Sequence, residues 1–291
     1  MNDTKHGLSA KRTDLHQVGI CLVAVHAHPD DETLATGLAL AHHALAGSSV
    51  HVITATLGEE GEVIPAELAH LEGSEDLGPY RHTELMAAMG TLGVQHSYLG
   101  ATHDSATATP MPRWRDSGMV GSAAASHARA FAGADLGEAA TVLAAELRDI
   151  RPDVLLTYDP QGGYRHPDHI QTHAVVVAAL AELAPVERPR MYVACTPRSW
   201  AEEDRAWVRR HVPASAGLAV LGDDAPYPPS VGADDQVTDR LIDTAAAELR
   251  TRALRHHRTQ VSVFDGYFAL SNDVAARLSD REGYREWTIN E

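Results

Sequence analysis

The sequence predicts an α/β fold: a Rossmann-like, mostly parallel sheet flanked by helices, with a C-terminal extension. Short apolar runs rich in β-prone residues recur at Ile20 to Val25, Val50 to Thr56, Val94 to Leu99 and Val154 to Tyr158. Stretches with helical apolar spacing separate them, which is the alternation of a parallel sheet with crossover helices. The same order of strand, proline-containing polar loop and helix also occurs twice, at His28 to Glu32 and at Asp159 to His169. In an open parallel sheet both loops belong at the carboxyl ends of their strands, where ligand sites form.

In chain order, residues 1–18 are polar and charged and read as a flexible leader. The strand Ile20 to Val25 is followed by a helix over Thr33 to Gly47, with Leu34, Leu38, Ala41 and Leu45 on one stripe and Gly47 as its stop. The strand Val50 to Thr56 completes a βαβ unit. Behind it, Gly58 to Val63 is an acidic loop, which is no phosphate cradle because it carries three carboxylates and no P-loop lysine. A helix from Tyr80 to Leu92 leads to the strand Val94 to Leu99, and an irregular insertion from Gly100 to Gly133 holds the patch Arg113-Trp114-Arg115-Asp116-Ser117-Gly118-Met119. Helices are expected over Leu136 to Asp149 and Ile170 to Leu183, flanking the fourth strand. A fifth strand is expected within Arg188 to Cys195, then a helix over Trp200 to His211, a Pro-rich connector and a long helix from Asp234 to about His256. That last helix has Val237, Leu241, Ala245 and Leu249 as its stripe. His42-His43 and His256-His257 read as surface histidines. The domain expectation is one unit over 19–291, its part from about 188 forming an appended lobe.

The 291 residues are 44% hydrophobic, enough for one large core. A formal net charge of -16 with no basic run argues against nucleic acid or an anionic membrane surface as partner. No stretch has the length of a membrane span or the apolar core of a signal peptide, so a cytoplasmic protein is expected. Cys21 and Cys195 are too few for a disulfide framework.

The chemistry is carried by the two repeated loops. Carboxylates in a first helical turn can simply cap free N–H groups, which would account for Asp30, Asp31 and Glu32 taken alone. A second loop with His166, Asp168 and His169 is hard to explain by capping. His28, Asp31 and His169 together make a familiar catalytic zinc set of two imidazoles and one carboxylate, with a fourth position left for water or substrate. Asp30 is then spare and suited to general base, and a protonated His166 to oxyanion stabilisation and general acid, with Asp168 orienting it and Tyr164 adding a hydrogen bond. Spacing leaves open the exchange of His166 and His169. No His-Glu-x-x-His, no Gly-x-Ser-x-Gly and no Gly-x-Gly-x-x-Gly after the first strand is present, which removes zincins, serine hydrolases and nicotinamide dehydrogenases.

Ala27-His28-Pro29-Asp30-Asp31-Glu32 with His166-Pro167-Asp168-His169 resembles the LmbE-like, or PIG-L, zinc deacetylases of N-acetylglucosaminyl compounds. Within that family, Gly58 to Val63, Gly78 to Arg81, Arg113 to Met119, Tyr158 to Tyr164 and Thr259-Gln260-Val261 resemble the mycothiol-pathway enzymes that deacetylate N-acetylglucosaminyl-inositol. The mycothiol S-conjugate amidases share the metal motifs and are the alternative, as is a deacetylase acting on a secondary metabolite. The resemblance implies a zinc-dependent amidohydrolase, with ferrous iron tolerated by the same ligands, acting on a small amino-sugar glycoside. It implies His28, Asp31 and His169 as ligands, Asp30 as base, His166 with Asp168 as acid and oxyanion partner, and Tyr164 as helper. Glu62, Arg81 and Asp116 would be substrate contacts.

Overall fold

Leu22, Val23, Ala24 and Val25 are all fully buried although they alternate in direction, because both faces of the strand they form are covered. That strand, β1 (Cys21–His26), belongs to a computed structural model that describes residues 14–101 and 111–289. It is followed by α1 (Asp31–Ala35), α2 (Gly37–Leu45), β2 (Ser49–Thr54), α3 (Leu77–Leu92) and β3 (Gln95–Tyr98). Then come α4 (Leu136–Ile150), β4 (Val154–Thr157), α5 (Gly162–Arg165), α6 (Pro167–Glu182) and β5 (Arg190–Ala194). The remaining chain gives β6 (Thr196–Pro197), α7 (Arg198–His211), β7 (Val231–Gly232), β8 (Asp239–Ile242), α8 (Thr244–Leu254), β9 (Ser262–Val263), β10 (Tyr267–Ala269), β11 (Ala275–Arg277) and β12 (Arg281–Trp287).

Seven strands form the main sheet in the order β3-β2-β1-β4-β5-β12-β8. The first five are parallel, and β12 and β8 are added antiparallel at the far edge. Leu22 and Ala24 enter one core with Leu38, Leu85 and Leu249, under α2, α3 and α8; Val23 and Val25 enter another with Leu143 and Val176, under α4 and α6. Truncating such a residue, Leu22 or Leu155 for instance, costs about 2–5 kcal/mol. The chain leaves β1 toward β2 on one side and returns to β4 on the other, so the order reverses between β1 and β4. A crevice at the carboxyl ends of these two strands follows from that reversal, and the two histidine loops emerge there.

Several elements differ from expectation. The single helix after β1 is two, broken at Thr36 (φ -136, ψ 9), whose hydroxyl bonds the Glu32 carbonyl (3.1 Å) and the buried His26 ring (2.9 Å). Helix α6 starts at Pro167 rather than Ile170, with His166 as its N-cap, so Asp168 and His169 lie in its first turn. The long helix from Asp234 does not form. Leu241 points inward from strand β8 while Ile242 faces solvent, and Asp243 caps α8 by accepting the Ala246 N–H (3.0 Å). The stripe fails at Ala245, which is exposed. The part from about 188, expected as an appended lobe, is divided: β5, β12 and β8 extend the main sheet, α8 packs on α2 and α3, β6 and β7 pair as a small sheet against β12, and β9–β11 form a third sheet on which α7 packs. Of the expected leader, residues 1–13 lie outside the described residues, but Leu15 is fully buried and its carbonyl accepts from His43 (2.9 Å). His43 and His257 are therefore core histidines, not surface ones. Among the described residues, no helix is long and apolar enough to cross a membrane.

Candidate metal centre

Three side-chain atoms meet at the β1–β4 crevice. Nδ1 of His28 lies 3.2 Å from Oδ2 of Asp31, Nε2 of His169 lies 3.2 Å from the same oxygen, and the two nitrogens are 3.3 Å apart. All three residues are buried. Ligands about 2.0 Å from a tetrahedral centre are separated from one another by about 3.3 Å, so the triangle has the edge length of a zinc-type ligand face.

The protons are placed elsewhere. The Nδ1 of His169 is 3.2 Å from the carbonyl of Gly162, which can only accept, so this nitrogen carries the hydrogen and Nε2 offers a lone pair. Gly162 has φ +64, and a Cβ there would stand 2.8 Å from His169 Cβ and from the Ile170 nitrogen, so only glycine brings this carbonyl into place. The Nε2 of His28 sits between Oδ2 of Asp168 (3.2 Å) and Oδ1 of Asp116 (3.3 Å), which fixes its hydrogen there and turns the Nδ1 lone pair to the centre. Two lone pairs and a carboxylate face one point, and that donor set is complementary to a cation. Tyr158 stacks flat on His169 (4.1 Å, 9°) and accepts the Ala27 N–H (3.0 Å), fixing the ring from behind.

The electrostatics follow. In the ion-free site, against burial, which opposes it, the Asp116 charge and hydrogen bonds to three carboxylates raise the pKa of His28 well above its ordinary value, so a cation gains the Nδ1 lone pair by displacing a proton. Asp31 is held well below the carboxylate range by His169 and His28 despite its burial. His166 is pushed down to about 3 by burial and by the neighbouring His28 and His169. Its Nδ1 accepts the Asp168 backbone N–H (3.2 Å), so the ring is neutral with its hydrogen on Nε2. This corrects the expected imidazolium. The ring stands 4.6 Å from that of His28 and 4.8 Å from that of His169, beside the triangle.

Asp168 also departs from expectation. Its carboxylate meets His28 and the Ser117 N–H (2.9 Å), not the ring of His166. It is fully buried in the first turn of α6, across the crevice from β1. Asp116, expected as a substrate contact, is turned inward as well: it accepts N–H groups of Gly118 (2.8 Å) and Glu60 (3.2 Å) and faces His28. Arg81, also expected to meet substrate, is 3% exposed. Its guanidinium donates to the carbonyls of Gly58 (2.6 Å) and Pro29 (2.5 Å) and lies 3.5 Å from Oδ1 of Asp30, clamping the β1 and β2 loops together. Gly58, at φ +67, makes room for it, since a Cβ would fall 2.2 Å from Nη1. Glu62 is exposed on the rim. Tyr164 is half-exposed, its ring edge-on to His169 at 5.1 Å.

Asp30 has φ 112 and ψ -33, a conformation that costs a non-glycine residue about 1–3 kcal/mol and is maintained only by its surroundings. Burial, partly offset by Arg81 and reinforced by Asp31, raises its carboxyl to about 7. Sequence reasoning missed His257, Tyr158 and Ser117 as parts of this centre. Tyr158 closes a strand beside the first His-Asp loop, which was a usable signal, whereas His257 lies 225 residues from its partner Glu32.

The family model for GlcNAc-PI de-N-acetylases, PIG-L, matches residues 23–180, the segment that carries both histidine loops and the first four strands. The chain belongs to the PIG-L family. It is 45% identical over 278 residues to a 1D-myo-inositol 2-acetamido-2-deoxy-alpha-D-glucopyranoside deacetylase of Streptomyces avermitilis, covering 90% of each chain. It is 43% identical over 277 residues to the protein of that name from Mycolicibacterium vanbaalenii, covering 90% of this chain and 89% of the other. Among solved structures it is similar in fold to the A40926 pseudoaglycone deacetylase Dbv21, with TM-score 0.55 and 19% identity over 92% of this chain and 97% of that one. A PIG-L member thus has its two motif loops at the topological switch point of a 3-2-1-4-5 parallel core.

Proposed function

We propose that this protein is a metal-dependent deacetylase that hydrolyses the N-acetyl amide of N-acetylglucosaminyl-inositol, releasing acetate and the free amino sugar of the mycothiol pathway. The observation that carries the reading is the convergence of two ring lone pairs and one carboxylate on a single point, beside a strained and buried second carboxylate. The substrate follows from the relatives of that name, which match along nine-tenths of both chains. His28, Asp31 and His169 hold the ion, zinc or ferrous iron. When bound, it polarises the acetyl carbonyl and acidifies water.

The remaining residues handle protons and charge. Asp30 takes a proton from the attacking water, a task suited to a carboxyl raised to about 7. The neutral His166 presents its Nε2–H to the developing oxyanion, because its Nδ1 is committed to the Asp168 amide. The proton on Asp30 is the one that the departing amine needs, so the bond to nitrogen breaks without expelling an amide anion. Asp168 and Asp116 keep the His28 lone pair directed inward. Tyr164, half-exposed beside His169, closes the acyl side, and Glu62 offers a carboxylate to sugar hydroxyls on the rim.

The test is acetate release from N-acetylglucosaminyl-inositol by the native and the chelated protein, next to cleavage of a mycothiol S-conjugate. Loss of acetate release on chelation and a higher kcat/KM for the acetylated glycoside are expected. Activity indifferent to chelation overturns the metal, and a higher kcat/KM for the conjugate reassigns the enzyme as the amidase.

A further inference from the structure

Asp30 is held in its strained conformation from a distance. Its N–H donates to Oε2 of Glu32 (3.0 Å), while its carbonyl accepts the first free N–H groups of α1, from Thr33 (3.0 Å) and Leu34 (2.9 Å). The peptide entering Asp30 is thus held on its N–H by the Glu32 carboxylate and on its Pro29 carbonyl by Arg81 (2.5 Å). Glu32 is completely buried, and an uncompensated carboxylate there would be untenable. Its other oxygen receives the Thr33 hydroxyl (2.5 Å) and Nε2 of His257 (3.0 Å), a ring that is itself 1% exposed.

His257 is fixed in turn. It lies just beyond α8, its N–H on the Leu254 carbonyl (3.1 Å), and its own carbonyl accepts N–H groups of Gln260 (3.1 Å) and Val261 (2.9 Å). Two residues on, the Thr259 N–H and hydroxyl both donate to Glu84 of α3 (2.9 and 2.6 Å). Helix α3 also carries Arg81, which reaches the Asp30 carboxylate. The backbone and the side chain of Asp30 are therefore held by two arms rooted in the same α3–α8 contact.

We infer that His257, acting through Glu32, is a positioning residue that keeps Asp30 in the φ 112 conformation from which its carboxylate reaches the attacking water. The inference rests on the reading of Asp30 as the base. A pair with only a stabilising role would lower the unfolding temperature and leave turnover per folded molecule unchanged. A positioning pair changes kcat, because a misplacement of the base by about 1 Å costs about a hundredfold.

The experiment measures kcat, KM, bound metal and unfolding temperature for His257→Leu, His257→Gln, Asp30→Asn and the double variant Asp30→Asn/His257→Leu, each well below its own unfolding temperature. His257→Leu is expected to lower kcat by about ten- to a hundredfold with KM and metal content unchanged. His257→Gln, whose amide can still donate to Glu32, is expected to regain most of that loss. On the Asp30→Asn background His257→Leu is expected to cause no further loss, since nothing is left to position. Native kcat in His257→Leu, loss of its metal, or an equal loss on the Asp30→Asn background overturns the inference. Should His257→Leu fail to fold, native-like folding of His257→Gln with no recovery of kcat overturns it as well. Near-native activity of Asp30→Asn alone overturns the reading of Asp30 as base, whatever the His257 variants do.

Discussion

Nδ1 of His28 and Nε2 of His169 stand 3.3 Å apart, and both lie 3.2 Å from Oδ2 of Asp31. Their hydrogens are committed on the far sides of the rings, to Asp168 and Asp116 in one case and to the Gly162 carbonyl in the other. At this distance the two nitrogens and Asp31 share either a proton or a cation, and a bound metal takes the place of that proton.

Removal of the metal is therefore expected to abolish acetate release and to lower the unfolding temperature, and zinc or ferrous iron is expected to restore both. Binding to the native state alone stabilises by about 4 kcal/mol when free metal exceeds its dissociation constant a thousandfold. Calorimetry of the chelated and the reloaded protein checks this. His169→Ala should reproduce the chelated state and show no response to added metal.

Asp30→Ala is expected to retain the metal and lose about two to four orders of magnitude in kcat, the usual worth of a general base. Because φ 112 is strained for any residue with a Cβ, Asp30→Gly should share the loss of activity yet unfold at a higher temperature than Asp30→Ala. Metal analysis with single-turnover acetate release checks the first statement, and thermal unfolding the second.

The division between what the sequence disclosed and what it did not follows the range of the interactions. The convergence of His28, Asp31 and His169 was readable because each motif is local and sits behind an apolar strand, and the switch point between β1 and β4 follows from the βαβ order. Strand β8 is masked in the sequence because Val237, Leu241 and Leu249 fall at helical spacing by coincidence, and only the Asp243 cap separates strand from helix. Strand β12, Arg281 to Trp287, carries charged residues at four of its seven positions, and only its Gly283 and Tyr284 are buried. The roles of Asp168 and Asp116 turn on which nitrogen of His28 they meet, and the pairing of His257 with Glu32 on a fold that joins residues 225 positions apart. Neither has any local signature.

Asp168 gives a prediction that separates its expected partner from its observed one. In Asp168→Asn the Ser117 N–H and the His28 ring lose a charged acceptor, whereas the backbone N–H that fixes His166 remains. Metal affinity is expected to fall about ten- to a hundredfold, as when other carboxylate–histidine–metal arrangements lose their carboxylate. Titration against a competing chelator measures it. Unchanged affinity with a displaced pH profile of kcat would instead return Asp168 to His166.

Buried histidines outside the centre contribute to the response of stability to acid. Burial lowers His26 and His43 to about 4, and both are fully covered. Each is neutral in the native protein at pH 5 but protonated on unfolding, where its pKa is about 6.5. The unfolded state thus binds more protons, and stability falls as the pH drops from about 6.5 toward 4. The loss is at most about 2 kcal/mol for each residue at pH 5. Glu32, held at about 2 against its burial by the charge and hydrogen bond of His257, works in the same direction but only below the ordinary glutamate range, its contribution vanishing as pH falls through about 2. His257, whose pKa is raised by Glu32 in spite of burial, has the opposite sign: its contribution is complete below about 6.5 and is lost as pH rises through its higher native value. The Asp30 carboxyl, raised to about 7, opposes the histidines too, since between pH 7 and about 4 the native state alone binds its proton; urea midpoints give the net difference, stability at pH 7 minus stability at pH 5. His43→Gln, which can still donate to the Leu15 carbonyl, should reduce that difference by about half of what the two histidines contribute together.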